Sequence, residues 1–357
     1  MSARHTLRGA VIGPRSGDGA GRADRLVLGA LAATAAGIAV RELIGPDSRN
    51  FPPGRLVQVD GRPTHVMESK GSQAPTVVFE SGLGNPATMW YWLFDHLPSE
   101  CRLVAYDRPG IGWSQPAKGA RDSARHPDQL LSLLKAAGAP PPYLLVGHSL
   151  GGLLVRLFAE RHPELTAGLV LVDATHPAEL SGSAFHHGLG STFRRLDRWI
   201  ARAALGLTAD AGVTAELLSM PPALVAPTVK AMTRLGSLRA ARRELALSRE
   251  WAAACDRADL PASWPVAIVS AATGLEYTPG FAEYQRDLAL LSDVTRSYSV
   301  AKATHNSLLV DRDHAETVAE AIVWALDRVP RDPGPDPGPD RGGSPASTVS
   351  RDGSASA

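Results

Sequence analysis

The feature that most constrains the fold is a rhythm of short apolar runs, several of them followed by a stretch of helical periodicity. Six such runs stand at 76–81 (TVVFES), 102–107 (RLVAYD), 143–147 (YLLVG), 168–174 (GLVLVDA), 265–272 (PVAIVSAA) and 297–303 (SYSVAKA). Several are near-continuous in apolar residues, as strands buried on both faces of a parallel sheet must be. Upstream, RLVQV and THVME flank Asp60-Gly61, a two-residue hairpin signal. Helical patterns lie at 127–137, 153–161 and 314–328. This alternation with an antiparallel start predicts an α/β fold: a mostly parallel twisted sheet with helices on both faces.

The rhythm breaks between 174 and 261, where helical patterns such as TVKAMTRLGSLRAARRELALSREWAAA carry no convincing strand. A helical insertion ahead of the penultimate strand is most economically a cap over the sheet's edge. The expected organisation is therefore a core at 51–174 and 262–329 with a cap at 175–261. Arg234, Arg239, Arg242, Arg243 and Arg249 in the cap read as a solvated face rather than an anion site.

Both ends differ from this middle. Residues 26–40 (LVLGALAATAAGIAV) carry no charge, and five arginines precede them against two acids. That asymmetry would keep the N-terminus inside and direct the remainder outward if the run inserts. Fifteen residues of helix span about 22 Å, short of a hydrocarbon core of roughly 30 Å. The run reads as a short signal-anchor, a cleaved signal peptide or an alanine-rich surface helix, so the expected location is membrane-anchored or secreted, with cytoplasmic as the alternative. Residues 330–357, rich in Pro, Gly, Ser and Asp, lack the apolar surface to offset ordering and predict a disordered tail. Net charge is +1 and no basic block is interleaved with aromatics, so no nucleic-acid partner is expected. Cys101 and Cys255 have no metal-ligand spacing and read as buried small residues. No metal and no cofactor are expected.

The chemistry concentrates where a strand meets a helix. In YLLVGHSLGG, Ser149 stands between Gly147 and Gly151, a G-x-S-x-G pattern at the junction. Such an elbow holds a serine in a strained turn with its Oγ projecting from the sheet edge. An oxyanion hole then takes one amide from Leu150 and a second from the loop ESGLGNP at 80–86. Leu83 is the candidate there and Gly84 the near alternative.

A base is expected late in the chain, and His305 in KATHNSLL follows the last strand and precedes the last helix. His148 points away from the serine in an elbow and is expected to pack or bond locally. His176, His186, His187 and His314 read as ordinary loop or helix-start residues. For the acid, Asp173 ends one strand and Glu276 lies three residues beyond Thr273, after the next; both stay open, with Asp173 favoured. Glu283 and Asp287, on an expected helix, come last.

At this point the chain resembles the α/β-hydrolase superfamily from about 51 to 329. The resemblance rests on PPGRLV at 52–57, VFESGLG within 77–84, YDRPGIGWS at 106–114, GHSLGG at 147–152, LVLVD at 169–173 and the surroundings of His305. It implies a cofactor-free serine hydrolase of the esterase and lipase-like branch acting on a small apolar ester, with Ser149 as nucleophile and His305 as base. Many members carry the acid where Thr273 stands; some take it from the earlier strand, the place of Asp173. Lactonase, amidase, C–C hydrolase, perhydrolase and acyltransferase chemistries share the same triad. A non-catalytic, ligand-binding protein of this fold is the alternative from another class. Asp107, Arg108 and the glycines of YDRPGIGWS are expected to lock their loop, and Trp90 and Trp113 to be core.

Overall fold

The computed structural model describes residues 53–117, 125–181, 183–207, 215–256, 260–273 and 280–329. The apolar run at 26–40, Glu276 and the tail from 330 lie outside the described residues. No helix among the described residues is long and apolar enough to cross a membrane, so the membrane reading rests on 26–40 alone.

The strands form one eight-stranded sheet in the order β1-β2-β4-β3-β5-β6-β7-β8. They are β1 (Arg55–Val59), β2 (Arg62–Glu68), β3 (Gln73–Glu80), β4 (Cys101–Tyr106), β5 (Tyr143–His148), β6 (Thr166–Val172), β7 (Pro265–Ala271) and β8 (Val294–Val300). β2 runs antiparallel to β1 and β4, and the rest is parallel. The β1–β2 hairpin turns on Asp60 (φ 49°) and Gly61 (φ 70°), two positive values that match the right-handed twist of the strands it joins.

Both faces of the sheet are covered, which is why its strands read as continuous apolar runs. Val77, Phe79, Leu144 and Val146 join one core cluster, and the alternate residues Val78 and Leu145 join the other. The helices are α1 (Tyr91–His96), α2 (His126–Ala137), α3 (Leu150–Arg161), α4 (Pro177–Ser181), α5 (Ser183–Ala204), α6 (Pro222–Thr233), α7 (Leu235–Cys255), α8 (Phe281–Leu288), α9 (Ser307–Val310) and α10 (Arg312–Leu326). α10 supplies Val318 and Ile322 to the first cluster, while α2 and α3 supply Leu130, Leu134, Val155 and Phe158 to the second. Local chemistry ends these helices: Gly138 takes the left-handed conformation after α2 (φ 69°), and the Asp311 carboxylate accepts from the amides of Asp313 and His314 ahead of α10.

Between β6 and β7 the described residues form the helices α4 to α7, at the place where the sequence predicts a cap. Helices α5 and α7 pack together through Leu196, Leu238 and Leu245, with Ile111 from the loop after β4 in the same cluster. Strand register then sets the site: Glu80 pairs with Gly147 and His148 with Val172, so the carboxyl ends of β3, β5 and β6 lie level.

Candidate active site

Ser149 is the residue between β5 and α3, with φ 54° and ψ −123°. A non-glycine residue at such a φ is strained and persists only where its surroundings over-determine it. Those surroundings are explicit. The Ser149 amide donates to Val172 O (3.1 Å), and its carbonyl accepts from Gly152 (2.9 Å) and Thr175 (3.0 Å). A Cβ on Gly151 would lie 2.2 Å from Glu80 O, and one on Gly147 would lie 2.7 Å from Gly151 O. The two glycines flanking the serine are steric requirements of this turn.

The same lacing brings the candidate acid into place. Asp173 follows β6 at φ 43°, its amide bonded to Val269 O at 2.7 Å. Its Oδ1 accepts from the Ala271 amide (2.9 Å), and its Oδ2 meets His305 Nδ1 at 2.6 Å. With Nδ1 donating to this carboxylate, the imidazole tautomer leaves a lone pair on Nε2. The His305 side chain is 45% exposed and that of Asp173 only 2%.

The His305 loop is held from two strands. Thr273, just beyond β7, donates its amide to Ala303 O at 3.2 Å, and its hydroxyl donates to the same carbonyl. The residue at the usual acid position therefore anchors the loop that carries the histidine. From β5, His148 Nε2 donates to His305 O at 3.0 Å, and the two rings lie 4.5 Å apart. His148 is fully buried, and burial together with the neighbouring His305 pushes its imidazole well below the usual histidine range. Its expected local bonding is thus a contact with a residue 157 positions away. Glu283 pairs with Arg286, and Asp287 pairs with His176, so neither serves His305. Nearby on α4, Glu179 is pushed up to about 6 by burial, with the Asp173 charge adding to the effect.

The loop after β3 faces the serine. A Cβ on Gly82 would lie 3.2 Å from Ser149 Cβ. Leu150 opens α3, and an amide in the first turn of a helix has no intrahelical acceptor. The Gly84 amide instead donates to Glu244 Oε2 at 3.3 Å, which leaves Leu83 as the stronger candidate of the two.

Behind this loop lies a buried ionic cluster. Arg108, 4% exposed, donates to Glu80 Oε1 (2.7 Å), Ser81 O (2.5 Å), Gly82 O (2.7 Å), Glu244 Oε1 (2.8 Å) and Glu244 Oε2 (2.8 Å). Glu80 Oε2 accepts from the Tyr106 hydroxyl and lies 3.1 Å from His126 Nε2. Burial acts to raise the Glu80 carboxyl, but His126, Arg108 and Tyr106 outweigh it and hold it below the usual range. Sequence reasoning assigned Arg108 to loop locking and missed Glu80 and Glu244. A signal for Glu244 existed: with Ala240, Ala241, Leu245 and Ser248 it belongs to the buried stripe of α7. A cleft of about 520 Å³ opens beside this cluster, lined by Arg62, Arg125, His126 and Trp251 among others, but not by Ser149, Asp173 or His305. Trp90 is fully buried, with its indole nitrogen 2.8 Å from Ser81 Oγ, and Trp113 packs on His65.

A mostly parallel eight-stranded sheet with an antiparallel start and helices on both faces defines the α/β-hydrolase fold. Residues 75–212 match the family model described as the alpha/beta hydrolase fold, and the chain has that fold. It is 38% identical over 115 residues to the uncharacterized protein YqjL of Bacillus subtilis, covering 32% of this chain and 46% of that one. The matched segments span less than half the length of the first curated relatives. Among solved structures, the enol-lactonase from Burkholderia xenovorans superposes with a TM-score of 0.52 at 19% identity, over 76% of this chain and 99% of its own. A haloalkane dehalogenase loop variant from Bradyrhizobium elkanii does so with a TM-score of 0.54 at 21% identity, over 77% and 96%. At such identities the likeness is one of fold.

Proposed function

We propose that the protein is a serine hydrolase that cleaves a carboxylic ester of a small apolar substrate through an acyl-serine intermediate. The observation that carries this reading is the 2.6 Å Asp173–His305 contact at the strand ends beside a serine held at positive φ. His305 Nε2 takes the Ser149 hydroxyl proton as Oγ attacks the ester carbonyl, and the Leu83 and Leu150 amides bind the oxyanion. The imidazolium then protonates the departing alkoxide as the ester C–O bond breaks. Water, deprotonated by His305, attacks the acyl carbonyl, and the serine leaves with its proton restored. Asp173 fixes the tautomer and stabilises the imidazolium. The cap over this edge sets which acyl and alcohol groups enter.

Ser149→Ala is expected to lower turnover of a p-nitrophenyl acylate by about 10⁴–10⁶-fold. Activity near that of the unmodified protein would sink the reading. Fluorophosphonate labelling separates it from a non-catalytic binding role, because only an activated serine is modified rapidly.

A further inference from the structure

Arg108 has five guanidinium N–H groups, and the structure provides an acceptor for each. Nε and one Nη2 hydrogen go to the two carboxylate oxygens of Glu244. The Nη1 pair goes to Glu80 Oε1 and Ser81 O, and the remaining Nη2 hydrogen goes to Gly82 O. The acceptors belong to different parts of the molecule: Glu80, Ser81 and Gly82 to the end of β3 and its loop, Glu244 to α7 of the cap.

The consequence follows from peptide geometry. In a trans peptide the C=O and N–H of one plane point in opposite directions. Gly82 O and the Leu83 amide share such a plane. Holding Gly82 O against Arg108 therefore turns the Leu83 N–H away from the guanidinium. A Cβ on Gly82 would meanwhile lie 3.2 Å from Ser149 Cβ, so this loop is in contact with the nucleophile. A second hold comes from Glu244 Oε2, which engages the Gly84 amide on the far side of Leu83. The plane is thus fixed at its carbonyl and the chain beyond it at the next amide but one.

We propose that Arg108 and Glu244 are positioning residues that orient the Gly82–Leu83 peptide as an oxyanion donor, so that the donor is set only when the cap helix α7 is docked. This rests on the serine-hydrolase reading. The clamp couples substrate enclosure to transition-state stabilisation: displacing α7 withdraws Glu244, which leaves Arg108 held by Glu80 and Ser81 alone and the Gly84 amide without its acceptor, so the Gly82–Leu83 plane loses two of its restraints. The cap then acts on the chemistry through a buried carboxylate rather than by touching the reacting atoms.

The test compares a p-nitrophenyl acylate with its thionoester, in which sulfur replaces the carbonyl oxygen. Sulfur is a weak hydrogen-bond acceptor, so the oxygen-to-sulfur rate ratio reports the oxyanion donors. It is independent of the fraction of enzyme that is folded. Glu244→Gln, which keeps size, and Arg108→Lys, which keeps charge, are each expected to lower this ratio about 10- to 100-fold. That is below the ~10²–10³ typical of losing a donor outright. The loss should fall on kcat with KM little changed. An unchanged ratio in both variants overturns the proposal, whatever happens to total activity. Ser149→Ala, run beside them, separates the two ideas. Retained hydrolysis there overturns the serine reading and this proposal with it, whereas its loss alongside an unchanged ratio overturns the clamp alone.

Discussion

Two arrangements of a carboxylate with a nitrogen base flank the candidate nucleophile, and they are built to opposite specifications. His305 is 45% exposed, commits Nδ1 to Asp173, and has no protein partner for Nε2 among the described residues. Arg108 is 4% exposed, faces two carboxylates and two carbonyls, and has every donor used. A group that exchanges protons needs an open valence and the ability to lose its charge. Arginine has neither here: it stays charged, and its planar fork fixes the direction of each partner. The difference teaches that contacts between a carboxylate and a nitrogen base can serve opposite ends. One leaves a nitrogen open, as the proposed proton transfer requires, and the other is completed and held in place.

The sharpest way to break this comparison is to disable the open pair without disturbing the fold. In Asp173→Asn an amide Oδ1 can still accept from the Ala271 amide, but the Nδ2 side opposes the Nδ1–H of His305 and favours the wrong tautomer. A loss of kcat of roughly 10⁴-fold is expected. The urea midpoint should move little; a large stability loss with modest loss of rate would reverse the roles assigned to the two pairs.

Disabling the closed pair should do the converse. Arg108→Met leaves Glu80 and Glu244 buried without their cation, at 0% and 3% side-chain exposure. Removing one partner of a buried ion pair costs about 3–5 kcal/mol, to be read from urea unfolding. An unfolding free energy within about 0.5 kcal/mol of the parent, the range of ordinary surface substitutions, would show the cluster to be dispensable.

The smallest effect concerns pH and the neutral ring behind His305. Because folding pushes His148 well below its ordinary range, the unfolded chain binds more protons between that lowered pKa and 6.5. Its contribution to stability is present above pH 6.5 and lost as the pH falls through this window. His65 has the opposite sign. Burial acts to lower it, but its bond to Asp107 at 2.9 Å and the Asp107 charge leave it raised. Its contribution is present below pH 6.5 and lost as pH rises through the folded value. In His148→Asn the melting temperature should therefore fall less on going from pH 7 to pH 5 than in the parent chain. Parallel profiles for the two proteins would contradict the assigned sign.

The open pair was largely legible in the sequence, and the closed one was not. Ser149 is announced by local grammar, an apolar strand and two glycines ahead of a helix, and the contacts at Gly147 and Gly151 give those glycines their reason. His305 and Asp173 could be placed because each sits just after an apolar run, where a parallel sheet gathers its loops. The rival acid Glu276 lies outside the described residues, but the geometry brings Asp173 to the histidine. By contrast, Arg108 and Glu244 are separated by 136 positions, and neither belongs to a short pattern that names the other. Glu80 stands in the sequence at the junction of an apolar strand and a loop; only packing reveals that its carboxylate turns inward.

By itself the sequence determined the strand order along the chain, the two-faced burial of the sheet, the elbow and the late histidine. All of these follow from periodicity, steric need or position relative to a strand end, which are local properties. Tertiary structure alone decided which carboxylate meets His305, that His148 braces that residue's backbone, and that a cap helix reaches into the loop beside the serine. Those outcomes depend on contacts between elements far apart in the chain. Their geometry is set by how the sheet twists and where the cap docks, and neither is written in any short run of residues.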